Sequence, residues 1–253
     1  MSNIINIVFS TGFAFTIFRV ATPLIFAALA ALVTRKAGVL CIALEGIMLF
    51  AALGGVIGSA ATSSAIGGVA LGITFGLIIM MIFAYFVLVL DANSMITGLA
   101  LNILGSGGTV FLMFLISGDK GSSTGLKSLS LPNIDIPVIQ SIPVLGKIVS
   151  GHNVLTYLAF LMVVVVFYFI NRTSLGLRIR SVGENSHAAE SVGISVKKMQ
   201  IIALIVAGVL CSLGGIYMSM AYLPFFTRDM IAGRGFMAIA AQNLGGGNVI
   251  PTL

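Results

Sequence analysis

The chain has 253 residues, of which 58% are hydrophobic and 8% charged, with a formal net charge of +6 and a mean hydropathy of +1.16. A water-soluble domain carries roughly 25% charged residues, so this composition excludes a soluble globular protein. It also excludes a nucleic-acid surface, which needs basic stretches interleaved with aromatics; the positive excess fits anchoring beside membrane spans and contact with anionic lipid headgroups.

Apolar segments run approximately over 4–33, 39–61, 65–90, 94–117, 153–170, 201–222 and 234–253. Several exceed the ~18 apolar residues that mark a candidate spanning helix, and none shows the short alternating strands of a membrane barrel. The expected fold class is therefore all-α, a polytopic transmembrane bundle forming one domain over 1–253, with these seven apolar segments. The first segment, at 1.5 Å per residue, would be about 45 Å long, well over the ~30 Å hydrocarbon layer. Arg19 interrupts it and Pro23 follows. Residues 2–18 are thus expected as an interfacial helix, and the span as starting near Arg19, whose guanidinium would snorkel to the outer headgroups. No cleavable signal peptide is expected, since the start lacks a basic region and the apolar stretch runs past Arg19.

In the next two segments, Gly54 and Gly58 form a GxxxG pair and Gly68, Gly72 and Gly76 a longer ridge. Small faces of this kind let helix backbones approach in lipid. Cys41 and Cys211 fall in apolar segments with no disulfide or metal-site spacing, and read as small core residues. Glu45, in CIALEGIMLF, is an intramembrane carboxylate and so a functional candidate by default. It either supports a helix end or stands in the pathway or gate. Asp91, Asn93 and Asn102 cluster about the start of the fourth segment. Asp91 suits a helix N-terminus, where the dipole favours a negative charge. Asn102 lies deeper, where it could hydrogen-bond a polar solute or tie helices together. Glu45 and Asn102 are the candidates for the solute path.

Residues 118–152 are rich in Ser, Gly and Pro, and their GDKGSSTGLKS lacks the spacing of a phosphate loop and follows no strand. The polar insert Asn171–Gln200 holds five of the thirteen Lys and Arg residues. Basic residues beside spans favour the cytoplasm, which places this insert and Arg35–Lys36 inside and 118–152 outside. His152 and His187 then fall on opposite faces, no nucleophile–base pair is visible, and neither a catalytic nor a metal-binding residue is expected.

Four runs carry a resemblance: RVATPLIFAALAALVTRKAGVLCIALEGIML, SMITGLALNILGSGGTVFL, IPVLGKIVSGHNVLTYLAF and TSLGLRIRSVGENSHAAESVGI. In order and over nearly the whole chain, they resemble permease subunits of bacterial ABC importers for simple sugars and nucleosides. The likeness is strongest to nucleoside permeases that pair with a basic membrane lipoprotein, and GRGF at 233–236 also fits. The resemblance implies a multi-pass protein of the bacterial plasma membrane that forms half of a two-permease pore, as a homo- or heterodimer. It implies cytoplasmic ATPase subunits that bind the ATP, so no cofactor in this chain, and an external solute-binding lipoprotein. The implied cargo is a nucleoside or related small polar solute, with simple sugars or branched-chain amino acids as alternatives. An ion-coupled secondary carrier is the rival class; it needs intramembrane charges, for which Glu45 is the one candidate.

In that frame GENSHAAESVGI resembles the cytoplasmic ATPase-coupling helix, with Glu184, Ala188, Ala189, Glu190 and Gly193 at the motif positions. A short helix with small residues can seat in a neighbour's groove, and Gly193 permits a sharp exit turn. The resemblance further implies one or more spans after GRGFMAIAA. This sequence instead reads QNLGGGNVIPTL, with Gly245–Gly247 where a basic–aromatic pair is the rule, so the C-terminal span or spans are expected to be missing from it.

Overall fold

A computed structural model describes residues 11–119, 121–123, 125–126, 128–134 and 150–252. The helices are α1 (Thr11–Lys36), α2 (Leu44–Thr62), α3 (Ala65–Leu88), α4 (Ser94–Ser117), α5 (Val154–Arg172), α6 (Ser174–Glu184), α7 (Ser186–Ser191), α8 (Val196–Tyr217, continued by a π turn over Met218–Tyr222), α9 (Arg234–Leu244) and α10 (Val249–Thr252). Among the described residues six helices, α1 to α5 and α8 with its π turn, are long and apolar enough to cross a membrane. The protein is an all-α, polytopic membrane bundle.

At its centre α2 lies along α3, and both pack on α8; α1 closes against α8, while α4 and α5 flank the core on α2 and α1. Most of α2 and α8 is buried, whereas less than a third of α4 and of α5 is. The glycine ridge of α3 explains the tight centre. A Cβ on Gly68, Gly72 or Gly76 would run into Met220, Ile216 or Ser212 of α8, with the backbone or side chains of α2 close behind. Hydrophobicity gives helices no drive to associate in lipid, so this close approach is what holds them together.

One end of the bundle carries the turn at Ala37–Gly38, the α3–α4 turn and the basic segment α6–α7. The opposite end carries the α2–α3 turn and the loop residues, where Leu131 N–H donates to Met220 O (2.8 Å) and Ser123 N–H to Phe226 O (2.8 Å). These are called the basic end and the loop end below.

Two segments differ from the sequence reading. Residues 11–18 are not a separate element: α1 runs without a break from Thr11 through Pro23 to Lys36, and 2–10 lie outside the described residues. Proline removes the N–H that would bond the carbonyl four residues back, here that of Arg19. The Tyr217 hydroxyl donates to that carbonyl instead, at 3.0 Å, and the helix continues. The Arg19 guanidinium donates to Tyr222 O (2.8 Å) and lies 4.6 Å from the Tyr222 ring centre, while the residue stays exposed. The last apolar segment divides into α9 and α10, separated by a turn in which Gly246 and Gly247 adopt positive φ. With 11 residues, α9 is about 16 Å long, half of the hydrocarbon layer.

Candidate functional site

Two helices begin in the interior of the bundle rather than at its ends. After Lys36 the chain turns at Gly38 (φ +76°), runs without helix over 39–42 and starts α2 at Leu44. The Leu44 carbonyl accepts the Cys211 thiol at 3.3 Å. Cys211 lies fifteen residues into α8, about 22 Å from its basic end. Helix starts leave unpaired N–H groups, which at this depth no water can satisfy. Asn102 meets this need: its Oδ1 accepts from Gly46 N–H at 2.8 Å, and its Nδ2 donates to Ile42 O at 2.9 Å. The approach of α4 requires Gly46, since a Cβ there would sit 2.5 Å from the Leu101 carbonyl oxygen. Asn102 is only 8% exposed. Of the two roles open to it from sequence, its bonds are those of a helix tie, since both partners are backbone groups of the α2 start.

Glu45 serves the second interior start. Its Oε1 accepts from Gly233 N–H at 2.8 Å and its Oε2 from Gly235 N–H at 2.7 Å. The N-cap of α9 is Gly233, at φ +80° with no side-chain cap of its own. Glu45 therefore caps α9 from another helix, and its charge also lies in the first turn of α2, where both helix dipoles favour it. Gly235 lets α9 reach it: a Cβ there would lie 2.6 Å from Glu45 N. The segment leading to this cap leaves the loop end at Arg228, whose N–H donates to Gly121 O (3.2 Å). From Gly233, α9 runs along α1 to the basic end, where Arg35 donates to Asn243 Oδ1. Asp229 and Arg234 are the charged neighbours of Glu45, and Arg234 Nη1 donates to Ile231 O at 2.9 Å. Sequence reasoning assigned a role to neither: Asp229 fell in the connector between two apolar segments, and Arg234 entered only as part of GRGF. The Gly-Arg-Gly triplet was the signal available.

At the basic end, α6 is capped by Thr173, whose Oγ1 accepts from Gly176 N–H (3.1 Å). The next helix, α7, is capped by Asn185, whose Oδ1 accepts from Ala188 N–H (3.0 Å). Gly193, at φ +81°, donates to Glu190 O, and Ile194 N–H donates to Ala189 O, which closes the helix. The five expected coupling positions thus span two helices and a turn: Glu184 ends α6, Ala188, Ala189 and Glu190 lie on α7, and Gly193 forms the exit. Ala189 is buried and the other four are exposed. Gly183 seats α6 on α1, because a Cβ there would lie 2.2 Å from Lys36 O. A cavity of about 600 Å³ separates α7 from the Gly38–Leu40 turn and the α3–α4 turn. Asp91 lies in that second turn at φ +50°; the N-cap of α4 is Asn93, whose side chain accepts from Met95 and Ile96.

Among the described residues, six candidate spans around discontinuous helices, with a capped polar helix pair at one end, fit a membrane transport subunit. The chain belongs to the family of branched-chain amino acid transport system permease components, whose model matches residues 13–253. It is similar to the guanosine ABC transporter permease of Bacillus subtilis, 34% identical over 89% of this chain and 72% of the relative. The nucleoside ABC transporter permease of Lactococcus lactis is 32% identical over 91% of this chain and 74% of the relative. A Haloferax volcanii ABC transporter permease named for glucose is 33% identical over 92% of this chain and 70% of the relative. No solved structure matches. Membership in the family implies association with an ATPase and a solute-binding protein.

Proposed function

We propose that the chain is a permease subunit of an ATP-driven importer for nucleosides or related small polar solutes in the bacterial plasma membrane. The observation that carries this reading is the match to guanosine and nucleoside permeases across about nine-tenths of the chain. The relative named for glucose supports simple sugars as the second reading. The positive-inside rule assigns the basic end to the cytoplasm and the loop end to the outside. Each chain forms half of a pore with a second permease, a copy or a homologue. A cytoplasmic ATPase subunit binds the ATP and docks on α7, and an external lipoprotein delivers the solute.

The lever follows from the packing. Movement of α7 carries α6, which is seated on the end of α1 and on Gly38 through Gly183. That turn leads directly into Leu44–Gly46, the interior start of α2. Closure of the ATPases thus has a short mechanical route to the junction of Glu45, Asn102 and Gly233.

The test is uptake by proteoliposomes holding the complete complex. ATP-dependent uptake of guanosine or uridine is expected, and uptake that needs only an ion gradient would favour the secondary-carrier class. For the topology, single cysteines at Ser128 and Ser186 are placed in a chain lacking Cys41 and Cys211. An impermeant thiol reagent added outside should label the first alone; the reverse pattern inverts the orientation.

A further inference from the structure

The basic end holds a cavity whose wall does not share the charge around it. About 600 Å³ in volume, it is bounded by the Gly38–Leu40 turn, the α3–α4 turn, α7 and the start of α8. Among the described Lys and Arg residues of this end, Lys197 alone lines it, against two carboxylates, Asp91 and Glu190. Neither carboxylate forms an ion pair among the described residues. The buried part of the wall is apolar, with Val39 4% and Leu88 7% exposed, whereas Asp91 and Glu190 are exposed. Asp91 sits at φ +50°, and on either side of it Leu90 N–H donates to Tyr85 O (3.2 Å) and Ala92 N–H to Phe86 O (3.0 Å). Asp is among the few side chains that tolerate this left-handed region, so the turn can hold a carboxylate at the cavity wall.

We propose that this cavity is a second docking point for the ATPase, and that it receives a cationic side chain, Arg or Lys, of that subunit. This rests on the reading above that the ATPase docks on α7. A Lys or Arg lays its aliphatic stem on apolar surface and keeps its charged head among polar groups. Val39 and Leu88 offer the first, Asp91 and Glu190 the second. A lipid phosphate meets the wrong charge here, because the carboxylates outnumber Lys197. A metal ion does not fit either, since among the described residues no three His, Cys, Asp or Glu side chains gather to hold one. The helix α7 packs on α6 and α8, and the cavity separates it from the α3–α4 turn. A side chain seated in that space packs against both walls. Closure of the ATPases then acts on α3 and α4 directly, as well as through α6 and Gly38.

The experiment uses the full-length permease lacking Cys41 and Cys211, in inside-out vesicles, with and without its ATPase subunits. Ser94→Cys, on the cavity wall, should react with a water-soluble thiol reagent in the permease alone and lose that reaction once the ATPase is bound. Ala188→Cys, on the exposed side of α7, reports the α7 contact in the same way. Protection at both positions is expected. Protection at Ala188→Cys alone overturns the inference and leaves the permease reading standing, because the ATPase then docks without filling the cavity. Protection at neither position refutes the docking on α7, and this inference with it. A Ser94→Cys already inert in the permease alone also overturns it, since the permease itself then occupies the space. Charge is read separately. Asp91→Asn suits the same backbone conformation. It should weaken binding of the ATPase to detergent-solubilised permease about tenfold and flatten the dependence of that binding on salt. Unchanged affinity and salt dependence would mean that no cation sits beside Asp91, and would overturn the inference.

Discussion

The capped pair α6–α7 and the interior junction of α2, α4 and α9 both rest on side chains that satisfy helix starts, yet they draw those side chains from different distances. Thr173 and Asn185 each cap a residue three positions on. Asn102 bonds residues 56 and 60 positions away, and Glu45 reaches 188 and 190 positions. The first pair lies at the polar end of the bundle, where water can stand in for a lost cap. The second lies where lipid and packed helices exclude water, so a lost partner leaves a backbone group unpaired. Damage to the segment should therefore show in coupling, and damage to the junction in assembly.

The largest effect that would sharpen this contrast is expected from Gly46→Leu. Its Cβ would meet the Leu101 carbonyl at 2.5 Å, and backbone cannot step aside as a side chain can. Nearly all folded protein should be lost from detergent extracts by size-exclusion chromatography. A normal peak would mean that α4 does not need to approach this closely.

Next in size are Glu45→Ala and Asn102→Ala, each of which leaves two long-range bonds unmade. Each unsatisfied buried group costs about 1–3 kcal/mol, so assembled complex should fall several-fold in both variants, while uptake per remaining complex falls less. Glu45→Gln keeps one acceptor oxygen and should recover part of the loss. Full assembly of Asn102→Ala with failed uptake would move Asn102 from the tie to the solute path.

Gly193→Val should disturb stability least. Nothing lies within 4 Å of the position a Cβ would take, so the penalty is conformational, about 1–2 kcal/mol for a residue held at positive φ. Membrane levels should stay near wild type, and uptake per ATP hydrolysed should drop. Equal losses of uptake and of protein would erase the distinction between the two regions.

How much of this was legible beforehand follows the same division. The spans and the glycine ridge were readable, because hydropathy and i+4 spacing are local properties. The helical character of the polar insert was readable from its pattern, but not the break at Asn185 that makes it two helices. The expected break at Arg19 and Pro23 does not occur, since α1 runs through both. That pair does look like a boundary, and only Tyr217, almost two hundred positions away, removes the penalty of the missing N–H.

The sequence by itself determined that the chain lives in a membrane, that its spans are helices, and that its basic residues gather toward one end. Those outcomes depend on transfer of side chains from water to lipid, a sum over near neighbours along the chain. Tertiary structure alone decided that α2 and α9 start inside the bundle, that Glu45 caps a helix begun nearly two hundred residues later, and that Asn102 fastens α4 to α2. In a medium without water each backbone group must find its partner within the protein, and which partner it finds depends on the packed arrangement of all the helices at once.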